Sequence, residues 1–246
     1  MEVAHSGPVS ALTLGLPQSS AIPQGKGMLP KQMFFGKAGI SARLKQHLVN
    51  DISDITALSV LRPSNVPVQE GGSLKEILIV AVMLNADNPP LDALEHIARL
   101  RPSGILFVCT RRRGDLYESA LAVRRAIPAR AGHVQQSMMH VGRWIPSKTL
   151  RLIVNGDTAN TADTANTMDS IWESLNAQAI LGSTNAEGLD ERISRRNRIA
   201  ELRAGEAKLT KDHARAKDPT QRNETYAKLH KVRTELGKLE SLEQPD

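Results

Sequence analysis

The residues of this chain best suited to chemistry are arginines. Arg99, Arg101, Arg111, Arg112, Arg113, Arg124, Arg125, Arg130, Arg143 and Arg151, joined by Lys148, fall in a stretch whose only carboxylates are Asp115 and Glu118. The whole chain has a net charge of +6, so the block at 99–151 is more basic than the molecule that contains it. A guanidinium offers a planar fork of donors that matches phosphate or carboxylate in a bidentate fashion. Ten arginines to one lysine fit that chemistry better than a merely solvated surface. A basic block inside a folded region is the footprint of a polyanion, usually nucleic acid. Only Tyr117 and Trp144 supply rings within it, too few for stacking successive bases of a single strand. The expected contact is therefore with the backbone of duplex DNA, with little reading of sequence. An acidic protein partner, or arginine enrichment without a role, would produce the same pattern.

Other chemistries find less support. A metal-dependent nuclease needs grouped carboxylates and a lysine on adjacent strands. Glu76 opens the best strand alone, while Asp51 and Asp54, at i and i+3, are expected on one side of a helix without a lysine. His5, His47, His96, His133, His140, His213 and His230 include no pair at i, i+4. The one cysteine, Cys109, excludes an intramolecular disulfide and any multi-cysteine zinc site. Gly25-Lys26-Gly27 lacks the Ser or Thr of a phosphate loop. No catalytic residue, metal or cofactor is assigned, and the balance leans away from an enzyme. Lys31 and Lys37 flank Phe34-Phe35, whose rings are expected to pack on the sheet.

The elements that must position the arginines are legible from periodicity. Hydrophobic content of 40% suffices for a core, and aromatic content of 3% means that core is aliphatic. Residues 1–25, rich in Gly, Pro, Ser and Gln, are expected to be a flexible lead-in, with partial docking as the alternative. Residues 41–50 predict a short helix capped by Ser41. Strands are expected at 55–61, 75–84, 105–110, 117–127 and 134–145, with an amphipathic helix between Asn88-Pro89-Pro90 and Pro102-Ser103-Gly104. The run at 77–84 is almost continuously apolar, as for a central strand. The link Arg111–Asp115 is too short for a crossover, so its two strands must be antiparallel. The fold class is α+β: a mixed, mainly antiparallel sheet flanked by helices. The globular domain is placed at 26–182. Its loop at 155–168 repeats Asp157-Thr158-Ala159-Asn160-Thr161 as Asp163-Thr164-Ala165-Asn166-Thr167, a local duplication. A helix is expected from Met168 to Ile180.

Residues 189–243 form a second part. Leu229, Val232, Leu236 and Leu239 recur at three, four and three, a coiled-coil seam. Ile193, Ile199, Leu202 and Leu209 make a looser stripe, and Asp218-Pro219 separates the two halves. The seam is short and needs a partner, either the other half in a hairpin or a second chain in a homodimer. Nothing at the amino end reads as a secretory signal, and the longest apolar run is far short of the ~20 residues that span a bilayer. A bacterial cytoplasmic protein is expected, without a membrane partner.

The chain resembles a bacterial family known only as domain of unknown function 4391. The resemblance rests on Leu29-Pro30-Lys31, Leu44-Lys45, Asp51-Ile52-Ser53-Asp54-Ile55 and Leu61-Arg62-Pro63-Ser64-Asn65-Val66. Gln221-Arg222-Asn223 and the seam at Leu229, Leu236 and Leu239 complete it. The Arg-rich middle and the repeat loop depart from the pattern. Genes of the family often lie beside helicase and DNA methylase genes in clusters resembling antiviral defence islands. The resemblance implies a non-enzymatic accessory subunit of a DNA-acting complex. Its arginine face would bind nucleic acid or the helicase or methylase subunit, and its tail would serve assembly. A stand-alone dimeric nucleic-acid binder and a diverged nuclease are the alternatives.

Overall fold

The computed structural model describes residues 2–36, 39–127, 136–154 and 166–242. The chain forms two units, Met1–Glu187 and Gly188–Asp246. The first begins with a correction, because the lead-in is packed rather than loose. β1 (His5–Ser6) and β2 (Val9–Ser10) pair as a hairpin whose turn uses Gly7 at φ 53°. Ala4, Val9, Ala11, Leu14 and Leu16 are buried. These small and aliphatic residues stand among turn formers, and their burial outweighs the local composition. After the single turn α1 (Gln24–Gly27), the strip runs along the outer edge of the main sheet. Ile22 N–H donates to Leu58 O and Leu29 N–H to Ile55 O, each at 2.9 Å, and the Ser59 hydroxyl donates to Ser20 Oγ at 2.8 Å. A bare edge strand would present those carbonyls to other chains.

Next comes α2 (Ala42–Gln46), capped by Ser41 Oγ accepting from Leu44 N–H. It widens into a π turn at His47–Asp51 and delivers β3 (Ile52–Leu61). Asp51 therefore ends a turn and Asp54 sits in a strand; the two do not share a helix side as the spacing predicted. β3 pairs antiparallel with β4 (Ile77–Leu84), in which all residues but Met83 are buried. Burial on both faces explains its unbroken apolar run. α3 (Leu91–Arg99) follows the double proline and buries Ala93, Leu94 and Ile97. As a crossover it makes β5 (Gly104–Arg113) parallel to β4. β6 (Leu116–Ala126) returns antiparallel through the tight turn at Gly114, φ 62°, as the short link required. β7 (Ser137–Val141) forms the far edge, and the two-residue β8 (Ile145–Pro146) pairs with β6 at Glu118 and Ser119. The sheet order is β3-β4-β5-β6-β7, mixed but mainly antiparallel.

Alternation sorts the two faces. Leu78, Val80, Val82, Phe107, Cys109 and Ala122 join Leu94, Ile97, Leu48 and Phe34 in one core cluster, so Phe34 packs as expected. The opposite face carries α4 (Met168–Leu181). Thr167 and Ser170 cap it reciprocally, and Gly182 closes it at φ 70°. A Cβ on Gly104 would lie 2.9 Å from the Trp172 ring, so only glycine lets α4 lie that close to β5. The repeat loop at 155–165 lies outside the described residues.

The second unit is a helical hairpin. α5 (Leu189–Arg215) and α6 (Pro219–Ser241) pack against each other, with Asp218 capping α6 through Gln221 N–H at 2.8 Å and Pro219 at its first turn. The seam is used within the chain: Leu229 and Leu236 are buried, and Leu236, Val232 and Leu239 pack with Ile199 and Leu202. Arg198–Glu235, Arg203–Glu240 and Arg233–Glu206 stitch its flanks. Among the described residues no helix is long and apolar enough to cross a membrane.

Candidate functional site

The basic block is distributed by the strands that carry it. Gly104 and Arg113 stand at opposite ends of β5, nine residues and roughly 30 Å apart at strand rise. Arg99 and Arg101 precede one end. Arg111, Arg112 and Arg113 occupy the other. Arg124 and Arg125 lie on β6 back towards the first end, on opposite faces because they are adjacent in a strand. The expected single arginine face is thus divided between two ends and two faces of the sheet. Arg130 lies outside the described residues.

Most of these cations also meet a carboxylate. Arg101 Nη2 lies 3.3 Å from Glu76, which Arg62 holds at 2.7 Å. Glu76 is thereby kept below the ordinary carboxylate range, chiefly by the Arg62 hydrogen bond; partial burial opposes the shift, and the Ser103 hydroxyl and Arg101 add to it. Arg99 pairs with Glu95 one helical turn away at 2.6 Å, and Arg125 with Glu173 of α4 at 2.9 Å. Arg124 approaches Glu95 only to 3.7 Å, and its Nε is buried without a hydrogen-bond partner. Glu76, Glu95 and Glu173 lie outside 99–151 in sequence. That is why the local charge count did not anticipate the pairing, which needs α3, α4 and the start of β4 to be folded against the sheet.

Arg111 is consumed most fully. Its Nε and Nη2 both donate to Glu118 Oε2, at 3.0 and 2.8 Å, its Nη1 donates to Asp87 O, and its guanidinium carbon stands 4.0 Å over the Trp144 ring. Its side chain is only 11% exposed. Register accounts for the pair, since Arg111 and Glu118 face each other directly across β5 and β6.

What remains for a ligand is divided between the β5–β6 turn and the segment that follows β7. Arg112 and Arg113 are 67% and 71% exposed and touch Asp115 and Glu118 only at 3.8 Å. Arg143, Lys148 and Arg151 are exposed, and among the described residues they form no ion pair. They lie on the segment that returns from β7 past the same end of β6, where β8 pairs with Glu118 and Ser119. Behind this segment, Thr110, Ser119 and Ser147 form a chain of buried hydroxyls at 2.9 and 2.7 Å that ties the loop to the sheet.

Among the described residues, the carboxylates weighed for a nuclease, Asp54 and Glu76, stand apart. Asp54 pairs near the Met83 end of the β3–β4 ladder, whereas Glu76 adjoins Ile77, opposite Leu61. Seven residues along β3 separate them by roughly 20 Å. Among the described residues no group of three His, Cys, Asp or Glu side chains could hold a metal ion. Lys31 is turned onto its own fold: its ammonium donates to Val49 O at 3.1 Å and to Ile52 O. Lys37 and His133 lie outside the described residues. Cys109 is fully buried, and burial pushes its thiol up to about 12.

No curated protein and no solved structure matches the chain. A match to the family described as Domain of unknown function (DUF4391) covers residues 14–236. It takes in the N-terminal strip from Leu14, the whole sheet and most of the hairpin, and the chain therefore belongs to that family.

Proposed function

We propose that this protein is a non-enzymatic accessory subunit of a DNA-acting complex. In this reading Arg112, Arg113, Arg143, Lys148 and Arg151 hold the nucleic-acid backbone. The carrying observation is that these five are exposed and free of close ion pairs, while Arg99, Arg101, Arg111 and Arg125 are tied to carboxylates at 2.6–3.3 Å. A guanidinium held at 2.8 Å by its own carboxylate is costly to recruit; one touching a carboxylate at 3.8 Å in solvent is not. The tail would then serve attachment to a helicase or methylase subunit through its outer surface, because its apolar seam is closed within the chain.

Mobility shift of a short DNA duplex across a salt series tests this. The variant Arg112→Ala/Arg113→Ala/Lys148→Ala should bind more weakly, with a log–log salt slope shallower by about 0.9 for each phosphate that is no longer neutralised. Unchanged binding by that variant would reject the assignment. Co-purification of the full chain from its native cells tests the accessory role, through recovery of a nucleic-acid-translocating or methylating enzyme.

A further inference from the structure

The charges of the helical hairpin are sorted along its length. In the half away from the interhelical turn, 189–207 and 232–242, seven basic residues face six carboxylates, and three of the arginines bridge to glutamates across the helix pair. The half next to the interhelical turn, 208–231, holds Lys208, Lys211, Arg215, Lys217, Arg222, Lys228 and Lys231 against Asp212, Asp218 and Glu224. All seven of these cations are exposed, and among the described residues none forms an ion pair. Asp218 is occupied as the cap of α6. One or two cations at the end of α5 would be expected from its helix dipole, but not seven.

We infer that the turn half of the α5–α6 hairpin is a binding surface for the phosphate backbone of duplex nucleic acid, separate from the cations of the β5–β6 turn. Lys208, Lys211 and Arg215 recur at three and four, so they align on one face of α5. That face points away from the Ile199 and Leu202 seam at 100° per residue. The three span about 10 Å of helix. A DNA strand presents a phosphate every ~3.4 Å of axis, so about three fall in the same length. Five of the seven are lysines, the long mobile point charges that serve phosphate without demanding the fixed geometry of a carboxylate partner. The helices need no rearrangement to present these groups, because their seam is already closed.

The test uses the full chain and two probes, a fluorescein-labelled 20-base-pair duplex and a poly-glutamate peptide of matched charge, from 50 to 300 mM salt. Lys208→Ala/Lys211→Ala/Arg215→Ala should weaken duplex binding at least ten-fold near 100 mM salt and make the salt slope shallower by about 2 to 3. Its helical circular dichroism should match the parent, since alanine favours helix and these side chains touch no seam. A gentler Lys208→Gln/Lys211→Gln pair should show a smaller weakening in the same direction. Duplex binding equal to the parent in both variants overturns the inference, as does a parent that binds no duplex or prefers poly-glutamate. Weakening only in the Arg112/Arg113/Lys148 variant would place the phosphate site at the β5–β6 turn instead, so the two assignments fail separately.

Discussion

Arg111 stacks on Trp144 and gives two nitrogens to Glu118 while its third reaches a backbone carbonyl. Removing it would strand a partly buried carboxylate. Arg111→Ala is expected to lower unfolding free energy by about 3 kcal/mol in a urea titration, whereas Arg112→Ala should change it by less than about 0.5 kcal/mol. The contrast separates a guanidinium that builds the sheet from one that is available outside it, though the two are neighbours in sequence. Glu76 makes a second prediction. Its carboxyl is lowered mainly by the Arg62 hydrogen bond, so its contribution is present above the ordinary value of 4.5 and fades as pH falls through the folded value. Glu76→Gln should flatten the acid limb of stability against pH. Cys109 acts in the other sense: with the folded thiol at about 12 and an ordinary value of 9.0, its contribution is complete below pH 9 and is lost as pH rises towards 12. A thiol reagent at pH 8 should label it only when denaturant opens the core.

At the scale of elements, the closest approach is that of α4 to the sheet. A Cβ on Gly142 would sit 2.4 Å from Ala179 O, a backbone atom that cannot swing aside. Gly142→Ala should therefore lower the melting temperature by several degrees, consistent with an overpacking cost of about 1–3 kcal/mol. In the hairpin, Leu236→Ala should cost about 2–4 kcal/mol and reduce helical signal. These elements differ in how legible they are in the sequence. The unbroken apolar run of β4, the double proline before α3 and the short Arg111–Asp115 link each have one physical solution, and the structure adopts it. Hairpin and dimer read alike, because heptad spacing is blind to which chain supplies the facing stripe. The N-terminal strip escapes a reading by pattern because its buried residues follow no helical or strand period; what orders them is the edge of β3, which lies some thirty residues later. The candidate site is readable as a density of arginine but not as a surface, since its neutralising carboxylates come from α3, α4 and the start of β4.

For the molecule as a whole, the division into two units predicts separable unfolding. Leu229→Asn/Leu236→Asn should melt the helical hairpin early while the near-ultraviolet signal of Trp144 and Trp172 keeps its own later transition. A single coincident transition in that variant would show the units to be energetically fused. The strip at 20–29 carries a consequence for how the protein can be handled and assembled. It occupies the rim of β3 with only a few backbone hydrogen bonds, and nothing else among the described residues covers Ile55 O and Leu58 O. A chain shortened to begin at Pro30 would keep every strand of the main sheet yet acquire an adhesive border. Such a truncation should turn a well-behaved particle into one that multiplies by border-to-border pairing, visible as a concentration-dependent rise in scattering mass, and a synthetic peptide of residues 20–29 should suppress it.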